Sequence, residues 1–590
     1  MLVVTVARRI VLTCALLALA PTAFGEPYVF SDTWSDTRAE AVRPGGTLVL
    51  ATQGDPRTFN PLVSVEVNIV VALNTEPALG AAVLGWRRPG DDAWEPRAAQ
   101  SWTVSDDGLT IDIVLRSELR WSDGESITVQ DYLTSYDLQT DPETNARGVD
   151  GWFVDGEPIT LEATGVDALR LRFPAPDRLA MLRLESLYPL PDRIFGEAFR
   201  TGGAAAVRAL WGIETPPADL VFSGFMRLAD VVLGEQLLFE RNGHFGDWNV
   251  DASGRPLPYL ERIHFRYLGD DAALNLFLTG GLDEFRPRNL DDVGVIQRAV
   301  TDGLLDATVI ESGFPVAATS FLSFNWNLAS DPFKQELFRS RDFRLAVAHL
   351  VDRETIIDLV HSGAGFPLKV GVHPSYDGWF HHELEIPPYD PEAALALLAG
   401  IGFGERDQAG YLVDAEGRRA GFTITTIAGF TIGEATVSII IDAAREIGLD
   451  VAARSLAFPL VVDQLMTRGD DRPFEAVFIG LTPADSAWPL LDGLYACDGA
   501  FRLFDQSGDC GEIEARIAEL VRRGRATLDD EAARRIALEV QELEAELSAV
   551  IYAVTPAAHL ASSARVRGHF PAELWGPRYG FGVPFLASLR

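Results

Sequence analysis

Side chains able to do chemistry are few in this sequence and are not gathered. His373, followed by His381, His382 and Glu383, offers imidazole and carboxylate donors of the kind that bind transition metals; adjacent histidines in a loop suit solvent equally. Gly363-Ala364-Gly365 lacks the third glycine and the preceding strand of a dinucleotide fingerprint and reads as a turn. No G-x-S-x-G elbow, H-E-x-x-H helix or Walker loop occurs. Nothing here assembles a nucleophile, a metal-bound water or a phosphate cradle. Cys497 and Cys510 lie in a Gly/Asp-rich loop and suit a disulfide if the chain is exported; two unrelated buried thiols are the alternative.

Export is what the N-terminus predicts. Arg8 and Arg9 precede a short apolar run, Pro21 breaks it, and Ala23-Phe24-Gly25 supplies small residues for cleavage before Glu26. The run is too short to span a bilayer, and Cys14 inside it lacks the setting of a lipid-modified cysteine. Residues 1–25 are therefore expected to be a signal peptide, leaving a mature chain free in the periplasm.

At 590 residues the chain is too long for one core and implies two or three domains, and 47% apolar residues suffice to pack them. The net charge of −35 argues against nucleic-acid binding, which needs a basic face. Only Lys334 and Lys369 are lysines, so nearly all positive charge is arginine.

The elements that must position any site are clearest between Ala99 and Tyr132. Trp102 and Val104 alternate with polar neighbours, Ser105-Asp106-Asp107-Gly108 makes a turn, and Leu109, Ile111, Ile113 and Leu115 repeat with period two. This predicts a hairpin with one apolar face. A second turn, Ser122-Asp123-Gly124, follows Trp121, and Thr128 is placed to cap a helix starting near Val129.

The same residues, W-x-V-S-x-D-G-x-T running on to L-R-x-x-x-x-W-S-D-G and T-x-x-D, resemble the signature of family 5 extracellular solute-binding proteins, the oligopeptide, dipeptide and nickel receptors of ABC importers. Further patches resemble that family: Gly45-Gly46-Thr47-Leu48 with Asp55–Leu62, Phe222–Leu228, Phe239–Phe245, Pro258–Arg266, Asp342–Arg353 and Tyr389–Ala394.

The resemblance implies an α/β fold of the two-lobed periplasmic-binding-protein kind (type II, cluster C-like) with a third inserted subdomain. Lobe I is expected from residues 45–92, 211–310 and 555–590, the inserted subdomain from 93–210, and lobe II from 311–554. It implies a monomeric receptor without cofactor or catalysis, which captures a small solute, foremost a peptide, by hinge closure and hands it to ABC permease subunits. Asp485 is implied to pair with a ligand ammonium, although G-L-T-P-A-D departs from the family pattern by lacking a Trp after the Gly; a helix N-cap is the alternative. Trp488, Phe430, Trp326 and Glu66 are implied to face the cleft, with ordinary core positions as the alternative. An exported hydrolase or metalloenzyme, a nickel or oligosaccharide receptor, and a sensor feeding no importer are the competing functions.

Overall fold

The computed structural model describes residues 28–29, 43–52, 55–64, 69–75, 79–87, 94–146, 148–315, 319–374, 376, 378–481, 487–497, 499, 501–508, 510–569 and 587–589. The expected signal peptide, Glu66 and Asp485 lie outside them.

Strand β1 (Thr47–Thr52) gains its partner only after the inserted subdomain. That subdomain carries an antiparallel sheet of β2 (Ala99–Val104), β3 (Thr110–Leu115), β4 (Thr160–Gly165) and β5 (Ala168–Arg172) in the order β2-β3-β5-β4. The predicted hairpin is present. Trp102 faces Ile113 and Val104 faces Ile111. Gly108 closes the turn at φ +70°, a left-handed conformation that costs glycine little, and its N–H donates to the Ser105 carbonyl at 2.9 Å. Ile111, Ile113 and Leu115 are all buried, so the period-two face is the core face, whereas Val104 at the strand end stays exposed. Each such aliphatic removed from water stabilises by about 2 kcal/mol.

Helix α1 (Val129–Thr140) begins where expected: the Thr128 N–H donates to the Asp131 carboxylate at 2.7 Å. The same carboxylate accepts from the Asp192 N–H at 2.8 Å, and burial raises its pKa despite both bonds. Tyr132 donates to the Ala81 carbonyl at 2.7 Å and ties α1 to the segment before β2.

The chain then returns through β6 (Met226–Val232), β7 (Gln236–Arg241) and β8 (Arg262–Tyr267), in the order β6-β7-β8-β1, with β8 parallel to β1. One hydrophobic cluster runs through this sheet and the inserted subdomain, taking in Leu48, Ile113, Trp121, Tyr132, Phe239 and Ile263. Helix α2 (Asp270–Leu278) leads to the short β9 (Glu284–Phe285). Asp283 stitches β9 to β1: its N–H donates to the Val49 carbonyl at 2.8 Å, and its carboxylate accepts from the Val49 N–H at 2.7 Å. Arg565 neutralises that buried carboxylate at 2.6 Å.

Strand β10 (Ala307–Pro315) runs toward the second half of the molecule, where β11 (Thr319–Phe324) joins a five-stranded sheet with β12 (Gly421–Ile427), β13 (Asp450–Leu456), β14 (Ala476–Leu481) and β15 (Val550–Tyr552). Its order is β13-β12-β14-β11-β15. Helix α3 (Thr431–Glu446) is the crossover between the parallel β12 and β13. The chain comes back through β16 (Val554–Ser563), which pairs with both β9 and β10.

A second hydrophobic cluster fills this half, with Phe324 edge-on to Phe343 and Phe422 at 5.4 and 4.8 Å between ring centroids. Helix starts read from sequence are capped as expected: Asp352 accepts from the Thr355 N–H at 3.0 Å and Asp390 from the Ala393 N–H at 2.9 Å. The rest of the core is supplied by α4 (Ala487–Tyr495), α5 (Glu512–Ala526) and α6 (Asp530–Leu547). Cys497 and Cys510 are joined as a disulfide, their Cα atoms 5.6 Å apart.

Candidate ligand-binding cleft

The backbone passes between the two halves twice, side by side. On one side of the passage β10 and β16 pair antiparallel, from Ala307–Ser563 to Glu311–His559. On the other, β11 and β15 pair from Phe321–Tyr552 to Ser323–Val550, and the Ala553 N–H donates to the Ser320 carbonyl at 2.9 Å. Everything that faces the gap between the halves is set by this two-strand crossing.

Thr319, the first residue of β11, pairs with Leu481, the last residue of β14. Because β12 and β13 run parallel to β14, the C-terminal ends of three parallel strands meet at the crossing. Residues leaving these ends occupy the crevice where open α/β sheets hold ligands. On the opposite side, β8, α2 and β9 form a β-α-β unit, so β8 and its parallel neighbour β1 end toward the same gap.

Phe430 leaves β12 three residues after Ile427 and caps α3 without a side-chain bond. It is half-buried, and its ring lies so close over Gly433 that a Cβ there would sit 2.2 Å from a ring carbon. Phe458 is exposed and follows the end of the neighbouring strand β13, where the Ala428 N–H donates to the Leu456 carbonyl at 2.8 Å. This rim is therefore aromatic. Sequence reasoning missed Phe458, which needs the β12–β13 register to be placed.

Tyr267 was missed as well. It is the last residue of β8, its hydroxyl is shielded from water, and it has no hydrogen-bond partner among the described residues. Burial and the nearby Asp55 carboxylate push its pKa up to about 12. A neutral phenol without a partner among the described residues, at the end of β8, can donate or accept a hydrogen bond.

Two of the residues implied by resemblance sit in packing. Trp326 follows the far end of β11, away from the crossing. Its backbone N–H donates to the Phe504 carbonyl at 2.7 Å, its ring meets Phe504 at 4.7 Å, and the Arg344 guanidinium lies 4.6 Å over it. Trp488, in the first turn of α4, is almost fully buried against Gly524 of α5 and meets Trp379 edge-on at 6.0 Å.

The histidines separate. His373 is buried beside Tyr376, His381 lies 3.3 Å from Glu542, and His382 stacks edge-on to Phe380. No group of three or more His, Cys, Asp or Glu able to hold a metal ion occurs among the described residues. A polar groove lined by Thr423, Thr425, Arg454 and Glu475 opens at the other end of the β12–β14 sheet, far from the crossing. The Arg472 guanidinium on its wall is used up on the carbonyls of Leu465, Thr467 and Leu503.

Known proteins share this arrangement. The model of bacterial extracellular solute-binding proteins, family 5 middle, matches residues 93–501. A probable ABC transporter-binding protein of Deinococcus radiodurans is 30% identical over 588 residues, 96% of this chain and 98% of that one. The oligopeptide-binding protein AppA of Bacillus subtilis, solved with a nonapeptide, superposes at TM-score 0.75 with 18% identity, over 93% of this chain and 100% of that one. The binding protein MelB of Agrobacterium fabrum, solved with stachyose, gives 0.76 with 18% identity, over 93% and 85%. With a two-lobed α/β fold, a double crossing between the lobes and these relatives, the chain belongs to the family 5 bacterial extracellular solute-binding proteins and is a substrate-binding component of an ABC transporter.

Proposed function

We propose that this protein captures a peptide between its lobes and delivers it, closed, to the membrane subunits of the transporter. The carrying observation is the paired crossing at Ala307–Phe324 and Val550–Ser563, which leaves two strands as the hinge and gathers strand ends from both lobes around one gap. Ligand favours the closed form by as much as it binds that form more tightly than the open one. In this reading lobe I comprises residues 45–92, 211–310 and 555–590, the inserted subdomain 93–210, and lobe II 311–554.

Asp485, two residues before α4, pairs with the peptide ammonium, and Phe430 and Glu66 line the gap. Trp488 and Trp326 act through the packing that holds their loops. The protein is a periplasmic monomer that binds without turnover, after removal of residues 1–25. Calorimetric titration with free and N-acetylated peptides, together with small-angle scattering, tests this. Saturable binding of the free peptide with a smaller radius of gyration supports it; hydrolysis of the peptide, or binding of an oligosaccharide alone, overturns it.

A further inference from the structure

The inserted subdomain reaches across and grips lobe II. Leu179, only 7% exposed, belongs to the hydrophobic cluster of lobe II, not to that of its own subdomain, and Leu182 packs beside it. The backbone N–H of Arg178 donates to the Arg525 carbonyl at 2.9 Å. Its guanidinium donates to the Thr527 carbonyl and the Asp530 carboxylate, and lies 5.0 Å over the Trp379 ring. Arg525, at the end of α5, reaches in two directions: to Asp492 of α4 at 2.6 Å and toward Asp177 of the inserted subdomain at 3.7 Å. Asp177 is buried and also held by Arg183 at 2.6 Å.

These contacts lie apart from the two-strand hinge, so they exist only while the lobes are together. They also bear on the gap itself. Asp492 and Trp488 share α4, which starts directly after residues 482–486, and Trp488 touches Trp379 beneath Arg178. We propose that Arg178 and Arg525 form a closure latch: the inserted subdomain, in addition to the ligand, sets the balance between open and closed receptor and positions α4 beside the gap. This rests on the hinge-closure reading above.

The latch can be cut without stranding a buried charge. In Arg178→Gln/Arg525→Gln, Asp177 keeps Arg183, while Asp530 and Asp492 are 70% and 39% exposed and stay hydrated. Fluorescent labels at Val166→Cys on the inserted subdomain and Leu359→Cys on lobe II, both highly exposed, report the distance across the latch by single-molecule energy transfer. Cys497 and Cys510 are already joined, so in protein lacking residues 1–25, and with them Cys14, only the new thiols are left to label.

In the absence of ligand, the double variant should show about a tenfold lower closed-to-open ratio than the parent, the scale expected of the partly exposed Arg178–Asp530 pair, the longer contact of Arg525 to the buried Asp177 and the cation–π contact together. A melting temperature within a few degrees of the parent shows that the variant is folded. Asp530→Asn, a milder change at an exposed site, should move the distance the same way. If a pool of free hexapeptides shortens the parent's distance but both variants match the parent without ligand, the latch is wrong and the hinge reading stands. If neither substitutions nor peptides change the distance, both are wrong.

Discussion

A buried carboxyl in lobe II gives a sharp test of the packing described here. Glu544 on α6 is 3% exposed. One of its oxygens accepts from the Gly371 N–H at 3.1 Å and from the Tyr552 hydroxyl at 3.4 Å, and the other has no hydrogen-bond partner among the described residues. Burial pushes its pKa from 4.5 up to about 7, and the bonds from Gly371 and Tyr552 offset only part of that. Between pH 4.5 and 7 the folded protein holds a proton that the unfolded chain releases, so stability falls as pH rises through this window. Above pH 7 the loss is complete, at about 3 kcal/mol.

Glu544→Gln keeps an acceptor oxygen for Gly371 and Tyr552 and stays neutral at every pH. It should match the parent near pH 4 and exceed it at pH 8 by about 3 kcal/mol. Urea unfolding followed by tryptophan fluorescence at pH 4, 5, 6, 7 and 8 reads the difference. His361, which burial pushes down to about 4, gives the opposite slope below pH 6.5 in both proteins and cancels in the comparison. A difference that does not change with pH, or a variant less stable at pH 8, would refute the assignment of an ionised, buried Glu544.

Three further outcomes are expected. Asp485→Asn should weaken binding of a free peptide by roughly two orders of magnitude or more, as should acetylating the peptide, because one partner of a buried charge pair is lost; equal affinities by calorimetry would exclude the pairing. Replacing Cys497 and Cys510 together by serine should lower stability by roughly 3 kcal/mol in the chain-entropy account of a loop this short, read as an earlier urea midpoint. Gly524→Ala should cost about 1–3 kcal/mol, since its Cβ would lie 2.1 Å from the Trp488 ring; an unchanged melting temperature would show that Trp488 does not pack on α5.

Local structure was readable wherever short-range chemistry decides it. The hairpin at Ala99–Leu115, the starts of α1 and the helix after Asp390, and the Cys497–Cys510 pair all follow from turn residues, alternation, capping and spacing. The cleft was less legible because its members come from strand ends distant in sequence. Phe458 and Phe430 follow adjacent strand ends only through the β12–β13 register, and Tyr267 gains meaning only from ending next to Thr52. Trp326 and Trp488 show why residue type alone misleads: a large aromatic is as useful over Phe504 or Gly524 as against a ligand, and only contacts tell the two apart. The latch was invisible, since Asp177 and Arg525 are ordinary surface types until two lobes bring them together.

The sheet that carries the crossing has a consequence for how the molecule is made. Its middle strand, β16, is synthesised long after the neighbours it separates: Val309 must wait for Ala561, and Phe285 for the same residue. Asp283 likewise waits for Arg565 before its buried carboxylate is neutralised. While the ribosome is still translating lobe II, the sheet at the crossing lacks its middle strand and Asp283 lacks its neutralising arginine, so this part of the first lobe cannot be completed. Such late closure of long-range contacts makes folding slow. Members of this family work outside the cytoplasm, and slow folding is an asset to any chain that must be threaded across a membrane before it folds.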